Sequence, residues 1–368
     1  MKVIFAKMQK VYNFNAGPAM LPVEVMQKAQ DEFLNYKNSG MSIMEVSHRG
    51  KHFEEVLNSA DKNLRNLLSI PENYSVAFFP GGATFQFSAV PMNLIAKEEH
   101  GDYSLTGVWS VKAFQEAKKL GYGANCIFDG KEIQYSRIPK ITEENISKDS
   151  KYLFITSNNT IYGSCYKKIP DVSSVPMIAD MTSDLLSRKI DVSKFAYIFA
   201  GAQKNIGPSG LTVGIIRNDL LEMKKGPVPV LLDFKQYFGS KSLYNTPPTF
   251  SIYIANLVFE WCLQKGGLEV IEKENDAKAE LLYTYLENSN LYTLPIEKNS
   301  RSNMNVVFHL KDKSLEKKFI DESELLGLHG LAGHRDAGGM RASIYNAMPI
   351  KGVETLIEFL KTFEEKNA

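Results

Sequence analysis

Phe195-Ala196-Tyr197-Ile198-Phe199-Ala200 runs without a charge into Gly201-Ala202-Gln203-Lys204-Asn205, and upstream a second apolar run, Pro176-Met177-Ile178-Ala179, ends on Asp180. Continuous apolar runs, unlike alternating ones, mark strands buried on both faces of a mainly parallel sheet. Similar runs at 74–79, 103–106, 152–156 and 211–216 alternate with helix-like stretches at 84–95 and 108–120, the latter stopped by Gly121. The expected class is α/β, a mainly parallel sheet flanked by helices.

The character of the chain changes after a helix-like stretch at 253–264, where Gly266-Gly267 marks a break. Beyond it we expect strands at 305–310 and 341–345, a helix at 315–326, and a final amphipathic helix. The apolar face of that helix is Val353, Leu356, Ile357, Leu360 and Phe363, at helical spacing. This predicts a large domain over 22–265 and a smaller α+β C-terminal domain over 266–368, with segment 11–21 packing near it. Residues 311–318 form a charged, solvated stretch.

The bulk numbers exclude more than they assign. At 368 residues about two domains are expected. The 43 Lys and Arg nearly balance 42 acids, so charge makes no case for nucleic acid or an anionic membrane. Cys126, Cys165 and Cys262 are scattered, without disulfide or metal-ligand spacing, which points to a reducing cytoplasm. The first residues, Met1 to Lys7, hold an apolar stretch too short for a signal-peptide core, and no run reaches the length of a membrane span. His48 and His52 sit four apart but lack a third ligand, so no metal is expected.

A lysine and an aspartate at neighbouring strand ends suit pyridoxal 5'-phosphate. The amine holds the aldehyde as a Schiff base, and the carboxylate keeps the pyridine nitrogen protonated. Read alone, Lys204 is a solvated loop lysine, and Asp180 one of many strand-end aspartates. Pro80-Gly81-Gly82-Ala83-Thr84 adds a strand-to-helix turn, where free N–H groups and the helix dipole favour a phosphate. Trp109, at the same sheet edge, either stacks on a planar cofactor or packs in the core. His48-Arg49-Gly50, His334-Arg335 and Arg341 are anion-binding candidates in turn-like settings, although a lone arginine is commonly just solvated. Nucleotide cofactors are disfavoured: there is no Walker lysine pattern, and Cys126 stands where a dinucleotide fingerprint starting at Gly121 needs its third glycine.

These segments resemble the phosphoserine aminotransferases, class V members of the fold type I pyridoxal-phosphate group, from Asn13 to about Phe363. The resemblance is carried by 16–22 (AGPAMLP), 44–50 (MEVSHRG), 201–208 (GAQKNIGP), 244–250 (YNTPPTF) and 338–348 (GGMRASIYNAM). It implies a homodimer with shared active sites that takes glutamate and 3-phosphohydroxypyruvate to O-phosphoserine and 2-oxoglutarate. A related 4-phosphohydroxythreonine of vitamin B6 synthesis is a further substrate it brings in. Lys204 matches the Schiff-base lysine, Asp180 the pyridinium partner and Trp109 the stacking ring. Thr160 and Gln203 match further cofactor contacts, Ala83 and Thr84 the phosphate cradle, and Asn245 and Thr246 a pair reaching the cofactor phosphate of the other subunit. Arg341 matches the α-carboxylate anchor. His48, Arg49, and His334 with Arg335 from the second chain, match the cluster that receives the distal anion.

The pattern has departures. Some relatives carry arginine where Thr84 stands and some carry serine where Ala16 stands, and the first ten or so residues extend beyond the family's usual start. Two rivals remain at this stage. A cysteine desulfurase of the same fold needs a mobile-loop thiolate, yet the chain has no cysteine after Cys262. A binding protein without turnover, sensing the cofactor or a phosphorylated metabolite, has no need of a competent Lys204 and Asp180.

Overall fold

The computed structural model describes residues 11–223 and 226–367; the N-terminal extension lies outside them. Seven strands among the described residues build the main sheet. They are β1 (Tyr74–Pro80), β2 (His100–Leu105), β3 (Gly123–Asp129), β4 (Leu153–Thr156), β5 (Met177–Asp180), β6 (Tyr197–Gly201) and β7 (Leu211–Arg217). Their order across the sheet is β1-β7-β6-β5-β4-β2-β3. Only β7 runs antiparallel to its neighbours; the other pairings are parallel. The α/β expectation therefore holds, with one reversed strand.

The apolar runs are continuous because both faces of the sheet are covered. In β4, Leu153 and Ile155 enter one core and Phe154 the other, as alternating side chains must. The helices in chain order are α1 (Val23–Glu32), α2 (Lys51–Leu68), α3 (Thr84–Leu94), α4 (Val108–Lys119), α5 (Phe234–Gly239), α6 (Thr249–Gln264), α7 (Leu268–Glu287), α8 (Glu316–Leu325) and α9 (Ile350–Asn367). Helices α2 and α6 pack on one face, α3 and α4 on the other. The α2 stripe of Phe53, Val56, Leu57, Ala60 and Leu64 is fully buried; truncating Phe53 to Ala would cost about 3–5 kcal/mol.

A second core gathers β8 (Tyr292–Thr293), β9 (Asn305–Leu310), β10 (Met340–Ser343), α8 and α9. Tyr12 and Phe14 belong to it, and Tyr12–Asn13 pairs in parallel with Leu328–His329. Helix α7 passes between cores: Leu268 and Ile271 lie in the first, Ala279, Leu282 and Leu286 in the second.

Two differences from the sequence reading have physical causes. Strand β3 was not expected because it is the half-exposed edge of the sheet and lacks a continuous apolar run. The strand expected over 341–345 stops at Ser343, since Ile344 to Met348 turn away to meet polar side chains of α7.

Candidate active site

Parallel strands open at their carboxyl ends, and the chemistry-bearing residues collect there. Strands β5 and β6 are adjacent and parallel, with Asp180 opposite Phe199. Asp180 therefore ends one strand beside the turn that carries Lys204 off the other. A cavity of about 220 Å³ lies over these ends, lined by Gly82, Ala83, Thr84, Trp109, Thr160, Asp180, Gln203 and Lys204 among others. Seven of the nine residues expected at the cofactor line it. Asn245 and Thr246 do not, nor do His48, Arg49, His334, Arg335 and Arg341.

Lys204 is buried, 7% exposed, and its ammonium donates to the Thr160 hydroxyl. Burial pushes its pKa down to about 8; Asp180 and Asp184 oppose that shift, and the charge of Arg341 adds to it. Asp180 is 4% exposed, and burial raises its carboxyl above the usual range. The Thr182 hydroxyl and N–H counter this, the N–H donating to Asp180 Oδ1 at 3.0 Å. The site thus holds an amine whose pKa burial lowers near a carboxyl whose upward shift the Thr182 donors oppose.

The walls suit a flat group bearing a phosphate. Helix α3 starts at the Gly82-Ala83-Thr84 edge with no side chain capping it, so its orphan N–H groups remain for an anion. Gly201 lies so close to Ala83 that an added Cβ would sit 3.4 Å from the Ala83 methyl. Trp109 Nε1 and Thr156 Oγ1, both on the cavity wall, are buried with no hydrogen-bond partner among the described residues. Buried polar groups are normally satisfied, so these orphan atoms fit a wall completed by a bound ring.

The remaining candidates stand apart. Arg341, on β10, is half-buried with an Nε unpartnered among the described residues, and burial lowers its pKa. Asn245 accepts from the Tyr237 hydroxyl at 2.7 Å, and Thr246 is exposed. Arg49 is exposed in the turn before α2. His334 Nδ1 accepts the Asp336 N–H at 3.2 Å, while the Arg335 side chain is 92% exposed.

The sequence reading missed Thr156, Asn158, Thr182 and Ser183, all on the cavity wall. Their signal was present: polar residues crowd directly behind the apolar runs of β4 and β5, at 156–160 and 180–184. No cysteine lines the cavity; Cys165 and Cys262 are buried elsewhere, and burial raises both thiols. Among the described residues, no three His, Cys, Asp or Glu are grouped to hold a metal, and no helix is long and apolar enough to cross a membrane.

A Lys–Asp pair at adjoining strand ends, under an uncapped helix start, narrows the family sharply. The pattern of the class V aminotransferases, "Aminotransferase class-V", matches residues 11–356. The chain belongs to this family. Within it, the chain is similar to the phosphoserine aminotransferase of Leptospira biflexa serovar Patoc, 52% identical over 97% of this chain and 98% of that one. The solved phosphoserine aminotransferase of Bacillus circulans subsp. alkalophilus superposes with a TM-score of 0.94 at 44% identity, covering 98% of this chain and 99% of that one. A pyridoxal-phosphate-bound phosphoserine aminotransferase from Trichomonas vaginalis superposes with a TM-score of 0.90 at 40% identity, covering 96% and 100%. Class V membership is in keeping with the mostly parallel sheet.

Proposed function

We propose that this chain is a phosphoserine aminotransferase. With pyridoxal 5'-phosphate it moves the amino group of L-glutamate onto 3-phosphohydroxypyruvate, giving O-phospho-L-serine and 2-oxoglutarate. Relatives near half identity over the full chain support the choice of substrates. The observation that carries the chemistry is Lys204, buried beside Asp180 with its pKa brought to about 8.

Once bound, the cofactor supplies a protonated ring that accepts the electron pair released at the substrate α-carbon. Lys204 is the residue that would anchor it, and its amine, once free, would move the substrate α-proton. An ordinary lysine near 10.5 is almost wholly charged at neutral pH, whereas one near 8 offers a usable neutral fraction. Asp180, held by Thr182, would keep the ring nitrogen protonated. Trp109 would cover the ring, Thr160 and Gln203 would contact it, and the start of α3 at Ala83 and Thr84 would receive the phosphate. Arg341 holds the α-carboxylate. Phosphate and γ-carboxylate are both anions, so one Arg and His cluster serves both substrates.

His48 and Arg49, with His334 and Arg335 of the partner subunit, form that cluster in this reading. Asn245 and Thr246 of the partner subunit reach the cofactor phosphate. A homodimer is supported by exposed apolar side chains beside these groups: Phe85 next to Thr84 is 57% exposed, and Leu243 and Tyr244 before Asn245 are 39% and 46% exposed. The same reading takes 22–265 and 266–368 as two domains, with 11–21 joining the second. It assigns a cytoplasmic setting, in keeping with three free cysteines.

The test is turnover of purified, cofactor-loaded protein with glutamate and 3-phosphohydroxypyruvate. We expect O-phosphoserine to form, and Lys204→Ala to abolish both turnover and the visible absorbance of the loaded protein. A protein that binds the cofactor but forms no phosphoserine leaves the binding-only rival standing.

A further inference from the structure

Lys278 is a buried cation that the chemistry above does not use. It lies on α7, 2% exposed, and its Nζ donates to the carbonyls of Ile344, Tyr345 and Met348 at 3.0, 2.7 and 3.0 Å. An ammonium has three N–H groups and no acceptor, so three convergent carbonyls satisfy it fully. Burial pushes its pKa down to about 7. The nearby acid, Glu274, is engaged by Lys265 at 2.5 Å. A charge buried with no carboxylate of its own is a costly way to brace a turn, which raises the question of what the turn braces.

The turn from Ile344 to Met348 follows β10, the strand that carries Arg341, and is tied to the loop that carries Lys204. The Asn346 N–H donates to Asn205 Oδ1 at 3.0 Å, and Asn205 directly follows Lys204. The Tyr345 hydroxyl donates to the Ala16 carbonyl at 2.8 Å and accepts from Asn305 at 3.0 Å. Asn275, one turn before Lys278 on α7, donates to Asn346 Oδ1 at 2.8 Å and to the Ser187 carbonyl at 2.9 Å. Asn346 Nδ2 reaches the Leu186 carbonyl at 2.9 Å. One face of α7 therefore grips a turn that touches the Lys204 loop at one side and is continuous with the Arg341 strand at the other.

We propose that Lys278 is a positioning residue of the amino-transfer site. Its three bonds fix the turn at Ile344 to Met348, and through that turn they set where Arg341 stands relative to Lys204. The inference rests on the reading of Arg341 and Lys204 given under the proposed function. A carboxylate held at Arg341 must present its α-carbon to an amine whose loop is tied to the same turn, so loosening the turn spoils the registry between anchor and base.

The experiment pairs Lys278→Met, which keeps the length and removes the donors, with Lys278→Gln, which keeps two N–H groups. Each is combined with Asn346→Ala in a double-mutant cycle. For Lys278→Met we expect the KM for glutamate to rise roughly tenfold or more, with Lys278→Gln recovering part of it. In cofactor-free protein we expect the pH midpoint for amine labelling of Lys204, read by mass spectrometry, to move. In the cycle, the losses from Lys278→Gln and Asn346→Ala should be less than additive, because both act through one turn.

A lowered Tm with unchanged KM and unchanged Lys204 labelling would overturn the proposal and leave Lys278 a purely structural brace. If Lys278→Met does not fold, the Gln and Asn346 cycle decides: additive losses overturn the proposal and coupled losses support it. Absence of wild-type turnover with these substrates would fail the functional reading instead, while the labelling of the cofactor-free protein still reports on the turn.

Discussion

Lys204 and Thr160 are joined by a hydrogen bond across the cavity wall, the lysine ammonium donating to the threonine hydroxyl. They come from different strand ends, Lys204 following β6 and Thr160 the loop after β4. Thr160→Val keeps the shape and removes the acceptor, leaving a buried N–H unsatisfied at a cost of about 1–3 kcal/mol. That cost falls on the charged amine, so Lys204 should lose its proton at lower pH than in the wild type. Amine labelling of cofactor-free protein across a pH series measures it. A midpoint that stays put or moves upward contradicts the role given to Thr160.

The depressed pKa of Lys204 also shapes stability. Its folded value is about 8 against an ordinary 10.5, so between those values the unfolded chain binds the extra proton. Stability of the cofactor-free protein therefore rises with pH across that window. Below pH 8 the cost of burying the charge is felt in full; above 10.5 it is gone. Urea midpoints of wild type and Lys204→Met, measured at intervals from pH 7.5 to 10.5, isolate the effect, because buried tyrosines titrate alike in both. Wild type should gain on the variant as pH rises, and parallel curves would reject the assignment.

Arg335 has a side chain 92% exposed in the single chain, with its Nε 3.7 Å from Asp336 Oδ1. In the proposed dimer it completes the distal-anion cluster of the other site. Arg335→Ala should raise the KM for 3-phosphohydroxypyruvate by roughly ten- to a hundredfold, in line with losing one charge-assisted bond of about 1.5–3 kcal/mol. Cofactor affinity, measured by dialysis, should stay within about twofold, since that shift is below the roughly 1 kcal/mol of a typical contact. Equal loss of both would remove Arg335 from the substrate cluster.

The fold was legible where burial dictated sequence. Strands β4 to β7 are covered on both faces, so their apolar runs are unbroken, and their placement beside Asp180 and Lys204 followed directly. Edge strand β3 is half-exposed and left no such trace. In the site, glycine turns and strand-end polar residues flagged Ala83, Thr84, Asp180 and Lys204. Thr156 was passed over because one threonine ending an apolar run is unremarkable; its orphan hydroxyl emerges only when β4 and β5 pair it with Asp180. Lys278 was illegible for a similar reason. Its three acceptors are backbone carbonyls 66, 67 and 70 residues away, and carbonyls leave no signature in side-chain pattern.

The turn that presents Thr160 depends on Gly163. That glycine holds φ at +82°, its N–H donates to the Asn159 carbonyl at 2.8 Å, and its carbonyl accepts from Ser302 at 2.8 Å. An added Cβ would meet the Asn305 carbonyl oxygen at 2.8 Å and Val307 Cγ2 at 2.9 Å, both on β9. Gly163→Ala thus combines left-handed backbone strain, about 1–2 kcal/mol, with a clash against a rigid strand. Gly40→Ala supplies the comparison, since φ there is +76° but nothing lies within 4 Å of the added Cβ. Thermal melts of both variants should give a larger Tm loss at Gly163. The excess measures the contact between the Thr160 turn and β9, and it should come with weaker cofactor binding, because Thr160 moves with its turn. Equal Tm losses at the two glycines would mean that β9 yields freely and does not fix the turn that holds Thr160 against Lys204.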